Sequence, residues 1–226
     1  MKNNKILFIG KKGDKYSQRF YLHLKKNFRY VSVIYNNHIN HKHIKNRIKH
    51  WKGDYIFCFR SNYLLKKNEI KKVSKNIINF HPGPPKYRGI GCVNFSIMNN
   101  EKNYGCTAHL ITSEKIDKGK IVDVVLWKIK NNLSVEQILL KTYEKQFHQL
   151  KRVVKYLKKD NLENLIKKNK KYKWSKKLYT KKNLNDLYLI DIDVKKKHFR
   201  KIIKSTITDR FKPYILLHGK KFVYEN

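Results

Sequence analysis

Between Lys5 and Phe80 the chain changes register four times, from a short apolar run to a helical pattern and back. Lys5–Gly10, Tyr30–Tyr35, Asp54–Phe59 and Asn76–Phe80 are each only five or six residues long and rich in β-branched and aromatic side chains, which suits buried strands. The segments between them read as helices: Asp14–Lys26, His41–His50 and Lys67–Lys75. In the first, Tyr16, Phe20 and Leu24 recur every four residues behind Asp14, a preferred N-cap residue. Strands separated by helices join in parallel, and successive right-handed crossovers place helices on both sides of the sheet. The expected class is therefore α/β: a doubly wound, mostly parallel, Rossmann-like sheet. Ligands in such sheets lie beyond the carboxyl ends of the strands.

Downstream, Val93–Met98 reads as a short helix, and Tyr104–Ile111 and Lys120–Trp127 as further strands. Ser134 with Gln137 forms a capping box for a long helix reaching about Leu157. Its apolar stripe runs through Ile138, Leu139, Thr142, Tyr143, Phe147, Leu150, Val153 and Val154. The charge-rich stretch Lys155–Lys173 closes this unit, so the expected domains are 1–172 and a small α+β extension, 173–226. The extension has two helical patterns, Lys181–Tyr188 and Lys195–Lys204. It ends in a hairpin, Pro213–Leu217 and Lys220–Tyr224, turning at His218-Gly219.

Hydrophobic residues make up 40% of the chain, enough for a packed core, which excludes disordered and collagen-like classes. The net charge is +38, which invites a nucleic-acid reading. However, Arg, the better bidentate phosphate ligand, stands at only eight positions, and lysines are spread over every expected helix. A solvated basic surface that attracts small anionic substrates is expected, with no nucleic-acid partner. No apolar run approaches the roughly 18–20 residues that span a bilayer, and the N-terminal run Ile6–Ile9 lacks a signal-peptide core. Cys58, Cys92 and Cys106 show no zinc or disulfide spacing. A cytoplasmic protein with reduced thiols is expected.

Chemistry concentrates in two places. The first is Asn79-Phe80-His81-Pro82-Gly83-Pro84-Pro85-Lys86-Tyr87-Arg88-Gly89. Asn79 and His81, two apart at a strand end, share one face. An Asn offers a neutral donor to a developing oxyanion, and a His exchanges protons near pH 7. Taken alone, the pair is also what a strand-end histidine bonded to its own loop looks like. The second is Gly105-Cys106-Thr107-Ala108-His109 followed by Ile116-Asp117-Lys118-Gly119. Asp117 can orient or charge a histidine across the crevice, or serve as an ordinary turn residue before a glycine. Lys86 and Arg88 are candidates for a substrate phosphate. Gly10-Lys11-Lys12-Gly13 lacks the dinucleotide fingerprint. His38, His41 and His43 read as a solvated polar stretch rather than a metal site. Trp51, Trp127 and Trp174 fit either a core or a ligand base.

In this order, Asn-x-His-Pro, Tyr-Arg-Gly, Gly-x-Thr-x-His and Asp-x-Gly-x-Ile, the motifs resemble the folate-dependent formyltransferases. That family includes glycinamide ribonucleotide, methionyl-tRNA and sugar N-formyltransferases. The resemblance spans about residues 5–158 and is most specific over 79–121. It implies a catalytic triad of Asn79, His81 and Asp117, and N10-formyltetrahydrofolate as donor, with no metal. It implies that the folate is held by Ser113, Glu114 and Ile116 and by the loop carrying Arg60, Ser61, Tyr63 and Leu65. Lys86, Tyr87, Arg88 and His109 would meet the acceptor. Gly83-Pro84-Pro85 departs from the family's commoner Ser-Leu-Leu-Pro. With Gly89-Ile90-Gly91-Cys92, Asn94-Phe95 and the short tail, this looks like the sugar N-formyltransferase branch. The implied reaction is formyl transfer to the primary amine of a nucleotide-linked amino sugar, such as a dTDP-4-amino-4,6-dideoxyhexose. Asn79 and protonated His81 would then stabilise the oxyanion, with Asp117 raising the His81 pKa. A methionyl-tRNA formyltransferase and a catalytically silent folate- or nucleic-acid-binding module remain as alternatives. The resemblance also implies a possible homodimer.

Overall fold

The computed structural model describes residues 2–36, 42–130 and 133–225. His38 and His41, the latter the expected start of the second helix, lie outside them. The strand–helix alternation is present as β1 (Lys2–Lys11), α1 (Lys15–Asn27), β2 (Phe28–Asn36), α2 (Lys42–His50), β3 (Gly53–Phe59), α3 (Lys67–Ile70) and β4 (Val73–His81). There follow β5 (Arg88–Gly89), α4 (Cys92–Met98), β6 (Asn103–Leu110), β7 (Ile121–Lys128), α5 (Val135–Lys158) and α6 (Leu162–Lys168). The C-terminal part contains β8 (Leu178–Tyr179), α7 (Lys181–Tyr188), α8 (Lys196–Thr206), β9 (Tyr214–Leu217) and β10 (Lys220–Val223).

Six strands form one sheet in the order β2-β1-β3-β4-β6-β7. The first four are parallel, while β6 and β7 run antiparallel to their neighbours. The segment joining β4 to β6, which holds β5 and α4, does not run back along β4, and the chain re-enters the sheet from the end at which β4 left it.

Helices cover both faces. On one, α1, α5 and α6 bury an aromatic core of Phe8, Phe20, Phe57, Phe59 and Phe80 with Leu150 and Val154. Phe20 stacks on Phe59 at 3.9 Å and meets Phe80 edge-on at 5.1 Å. On the other face, Ile44 and Ile48 of α2 pack against Leu7, Ile9, Ile34, Ile56 and Ile77. Local signals behave as their chemistry dictates. Asp14 caps α1 by accepting from the Ser17 amide at 2.8 Å, and Ser134 and Gln137 close the capping box of α5. His218 and Gly219 both take positive φ, the geometry of a tight hairpin turn between β9 and β10. Two elements differ from expectation. The third helix stops at Ile70 rather than Lys75, because Val73 already pairs with Gly53 of β3. The charge-rich stretch after α5 contains a helix, α6, whose Leu162 and Leu165 reach the core. No helix among the described residues is long and apolar enough to cross a membrane.

Candidate active site

The pleat of β4 sorts its side chains. Ile78 and Phe80 enter the aromatic core. Ile77 enters the opposite core, and the same face continues into Asn79 and His81 at the carboxyl end. Register then brings a partner alongside, since Asn79 lies directly opposite His109 of β6. Asn79 Nδ2 lies 3.1 Å from His109 Nε2, which is 3.2 Å from Asp117 Oδ1. The other oxygen, Asp117 Oδ2, is 3.2 Å from His81 Nδ1 and accepts from the Gly89 amide at 2.8 Å. Four side chains from three segments thus form a continuous series, amide to imidazole to carboxylate to imidazole. Asp117 takes a left-handed conformation, φ 44°. Gly119 lets its turn close on β6, because a Cβ there would fall 1.7 Å from the Leu110 carbonyl oxygen.

Burial is uneven within the series. His81 and Asp117 are 3% and 7% exposed, whereas Asn79 is half-buried. Asn79 is thus the member open to a ligand. Burial alone would raise the Asp117 carboxyl, but His81, the hydrogen bond and charge of His109, and the Gly89 amide hold it well below the usual carboxylate range. Asp117 is a fixed negative charge. For His81, burial is the largest influence and lowers its pKa. Asp117 and the Tyr87 carbonyl push it upward, His109 and Arg88 downward, and the balance is a lowered value. The expected lift from Asp117 is present, but desolvation outweighs it. Nε2 of His81 faces the Tyr87 carbonyl oxygen at 2.7 Å, with Cys92 Sγ at 3.6 Å. Both ring nitrogens therefore face acceptors, and only the imidazolium satisfies both together. His81 is at once a partner in the polar series and bonded to its own loop.

Other expected site residues divide by what their groups touch. Arg88 is buried and gives Nε to the Asp117 carbonyl at 2.8 Å, Nη2 to the Ile116 carbonyl at 2.9 Å and Nη1 to the Ser175 carbonyl at 3.0 Å. It clamps the site's backbone instead of presenting a free fork to a phosphate. Tyr87 is buried, and its hydroxyl donates to Glu101 Oε1 at 2.8 Å. Lys86, exposed, pairs with the same carboxylate. The structure brings neither the Lys86 nor the Tyr87 side chain to the polar series, which Tyr87 meets only through its carbonyl.

Just past the first of the two loops expected to hold a folate, Lys66 Nζ lies 3.5 Å from Glu114 Oε1 of the second. Leu65 is core, and the Tyr63 hydroxyl donates to Glu69 Oε1 at 2.6 Å. Ser61 Oγ accepts from the Tyr63 amide. Arg60 turns toward the other face, pairing with Asp14 and lying over the Tyr143 ring at 4.1 Å. Ser113, Glu114 and Ile116 are exposed. Among the described residues, the backbone of Thr112, Ser113 and Glu114 makes no hydrogen bond to other backbone, which leaves its amides and carbonyls for a ligand with an amide-like edge.

One residue at the site was undecided from sequence. Trp174, from the stretch after α6, packs edge-to-face against both His81 and His109, with ring centroids 5.7 and 5.1 Å away. No local motif marks it, because it reaches the cluster through the fold.

A sequence model described as Formyl transferase matches residues 5–154. A methionyl-tRNA formyltransferase from Finegoldia magna is 27% identical over 109 residues, 48% of this chain and 35% of that protein. The matched stretch thus spans about a third of that relative. Among solved structures, a 4-N formyltransferase from Francisella tularensis superimposes with a TM-score of 0.73 at 19% identity, covering 97% of this chain and 96% of that one. An N-formyltransferase from Helicobacter canadensis, in complex with folinic acid and dTDP-3-aminofucose, gives 0.69 at 19% identity, covering 96% and 85%. At these identities the two structures are likenesses of fold.

Proposed function

The chain belongs to the formyl transferase family, and on that premise we propose that it moves a formyl group from N10-formyltetrahydrofolate to the primary amine of a nucleotide-linked amino sugar. The observation that carries the reading is the series Asn79–His109–Asp117–His81 at the carboxyl end of β4. The ligands of the Helicobacter canadensis neighbour, folinic acid and dTDP-3-aminofucose, support this substrate class, and a dTDP-4-amino-4,6-dideoxyhexose is the favoured acceptor, a choice of amine position that the 4-N formyltransferase from Francisella tularensis supports.

Each side chain has a part in that reaction. Asn79 Nδ2 carries two hydrogens. His109 Nε2, whose proton goes to Asp117, does not accept from it, and Nδ2 donates to the formyl oxygen as negative charge develops there. The attacking amine must lose a proton, and the departing folate nitrogen must gain one. Burial lowers the His81 pKa, but both of its nitrogens face acceptors that suit its protonated form. With Asp117 it can store that proton and return it. Joining amine and formyl carbon in one crevice supplies the rest of the acceleration by positioning. The exposed backbone of 112–114 and the loop 60–65 form the folate side of the crevice. The reading also carries a cytoplasmic site of action and a homodimer, open to fractionation and light scattering.

The test is a panel of amino-sugar nucleotides incubated with the protein and formyl-folate, with products read by mass. A formylated nucleotide sugar is expected. Formylation of methionyl-tRNA in a parallel arm, with every sugar left untouched, would move the protein to the other branch. Absence of formyl transfer in both arms would refute the enzyme.

A further inference from the structure

We propose that Trp174 is a positioning residue of the active site, an indole wedge that holds the His81 and His109 rings against Asp117. The ring meets His81 at an interplanar angle of 73° and His109 at 89°, and its Nε1 donates to the Gly119 carbonyl at 2.8 Å. One side chain therefore touches both imidazoles and the turn that carries the carboxylate.

The backbone around Trp174 is laced to the same turn. The Ser175 amide donates to the Pro85 carbonyl at 3.0 Å. Arg88 grips the Ser175 carbonyl on one side and the Ile116 and Asp117 carbonyls on the other. Just beyond, β8 pairs in parallel with β5, and the Ile90 amide donates to the Tyr179 carbonyl at 3.1 Å. The approach is so close that a Cβ on Gly89 would lie 2.1 Å from the Tyr179 oxygen. Residues 174–179 thus form a strap across the site, although they follow the matched region 5–154.

The need for a wedge follows from imidazole geometry. The outer torsion of histidine is broad and two-fold, so hydrogen bonds alone leave a flipped ring accessible. His81 faces Asp117, His109, Arg88, Cys92 and the Tyr87 carbonyl. His109 faces Asn79, Asp117 and the Leu110 carbonyl. A flip of either ring exchanges its partners. A bulky apolar ring packed on both blocks the flip and keeps water off the pair, which strengthens their contacts with Asp117.

The inference rests on the proposed formyl transfer for its kinetic test alone. In the full chain, Trp174→Ala should lower kcat by ~10–100-fold, the scale of a small misplacement at a reacting centre. KM for both substrates should stay within about 3-fold, since the lost contact is not to substrate. The apparent ionisation of His81 in the pH profile should move upward as water relieves its burial. Trp174→Phe, which keeps the ring contact and loses the Gly119 bond, should recover most of kcat. A second measurement needs no turnover. With Trp51→Phe and Trp127→Phe, Trp174 is the sole indole of the three, and its fluorescence should be quenched as His81 protonates. Replacing His81 by Gln should abolish that titration. A titration in a protein that transfers no formyl group would uphold the wedge while removing the formyl-transfer reading. A folded Trp174→Ala variant with native kcat and pH profile would overturn the wedge, as would an indole signal unchanged by pH or by the His81 replacement.

Discussion

The two faces of β4 separate stability from chemistry within one strand. On one face, Ile78 and Phe80 lock into an aromatic core shared with α1 and α5. On the other, Ile77 is core, but two residues further the same row becomes Asn79 and then His81, and polar contacts replace apolar ones. Alternation at period two allows this without a break in the ladder, because the backbone pairs continue from Ile78↔Leu110 to His81↔Thr107. A polar cluster of this kind is costly to bury unless its groups are paired, and here each ring nitrogen and carboxylate oxygen has a partner within 3.2 Å. The aromatic face supplies rigidity, and the polar face spends it on geometry.

Substitutions on the two faces should therefore fail in different ways. The largest effect is expected on the polar face. His81→Ala and Asp117→Ala should each cut formyl-transfer turnover by ~10²–10⁴-fold, the usual scale for losing an acid–base or oxyanion group. Near-native rates in both would break the comparison. Phe80→Ala should do the reverse. It deletes a 1%-exposed ring held by Phe20 and Phe57, at a cost of about 3–5 kcal/mol. For a chain of this size that lowers Tm by on the order of 10 °C. The folded fraction at low temperature should keep its specific activity. Loss of activity without loss of Tm would show that the aromatic face also shapes the site.

Acid should expose the cost of the polar face. Burial holds His81 below its ordinary value of 6.5, so just under that pH the unfolded chain binds a proton that the folded chain resists. Stability contributed there is present above 6.5 and is lost as pH falls below it. Asp117, held below its ordinary 3.8, adds a second loss under that value. Thermal unfolding followed from pH 8 downward should show Tm declining below 6.5, and His81→Gln should flatten that limb. An unchanged slope in the variant would place the acid sensitivity elsewhere.

The difference between the faces also explains what could be read from the sequence. Short apolar runs made the strands legible, because strands buried on both faces need apolar residues throughout, and apolar spacing of three and four made α1 and α5 legible. Asn79, His81 and Asp117 were legible because they lie in short local motifs, two of them on one strand. Three things resist a local reading. The antiparallel entry of β6 depends on where the segment after β4 packs, and the sign of the His81 shift depends on how deeply the cluster is buried. Arg88 was readable as a cation but not as a clamp, since its carbonyl partners at 116, 117 and 175 converge only in the fold. Trp174 is of the same kind. Its partners are 93 and 65 positions earlier in the chain.

The mildest prediction concerns the rim of the polar face, where Lys66 and Glu114 join the loops assigned to the folate. Their side chains are 66% and 49% exposed, and such pairs contribute about 1 kcal/mol or less. Glu114→Ala should therefore shift Tm by no more than about 3 °C. If the loops 60–65 and 112–116 do clasp the folate, the same substitution frees one from the other. KM for formyl-folate should then rise severalfold, with KM for the amino sugar and kcat nearly unchanged, the pattern of lost ground-state binding. A KM effect on the sugar instead would put the acceptor on this side of the crevice and the folate on the other. The polar face would then be read from its opposite edge, with the series from Asn79 to His81 unmoved.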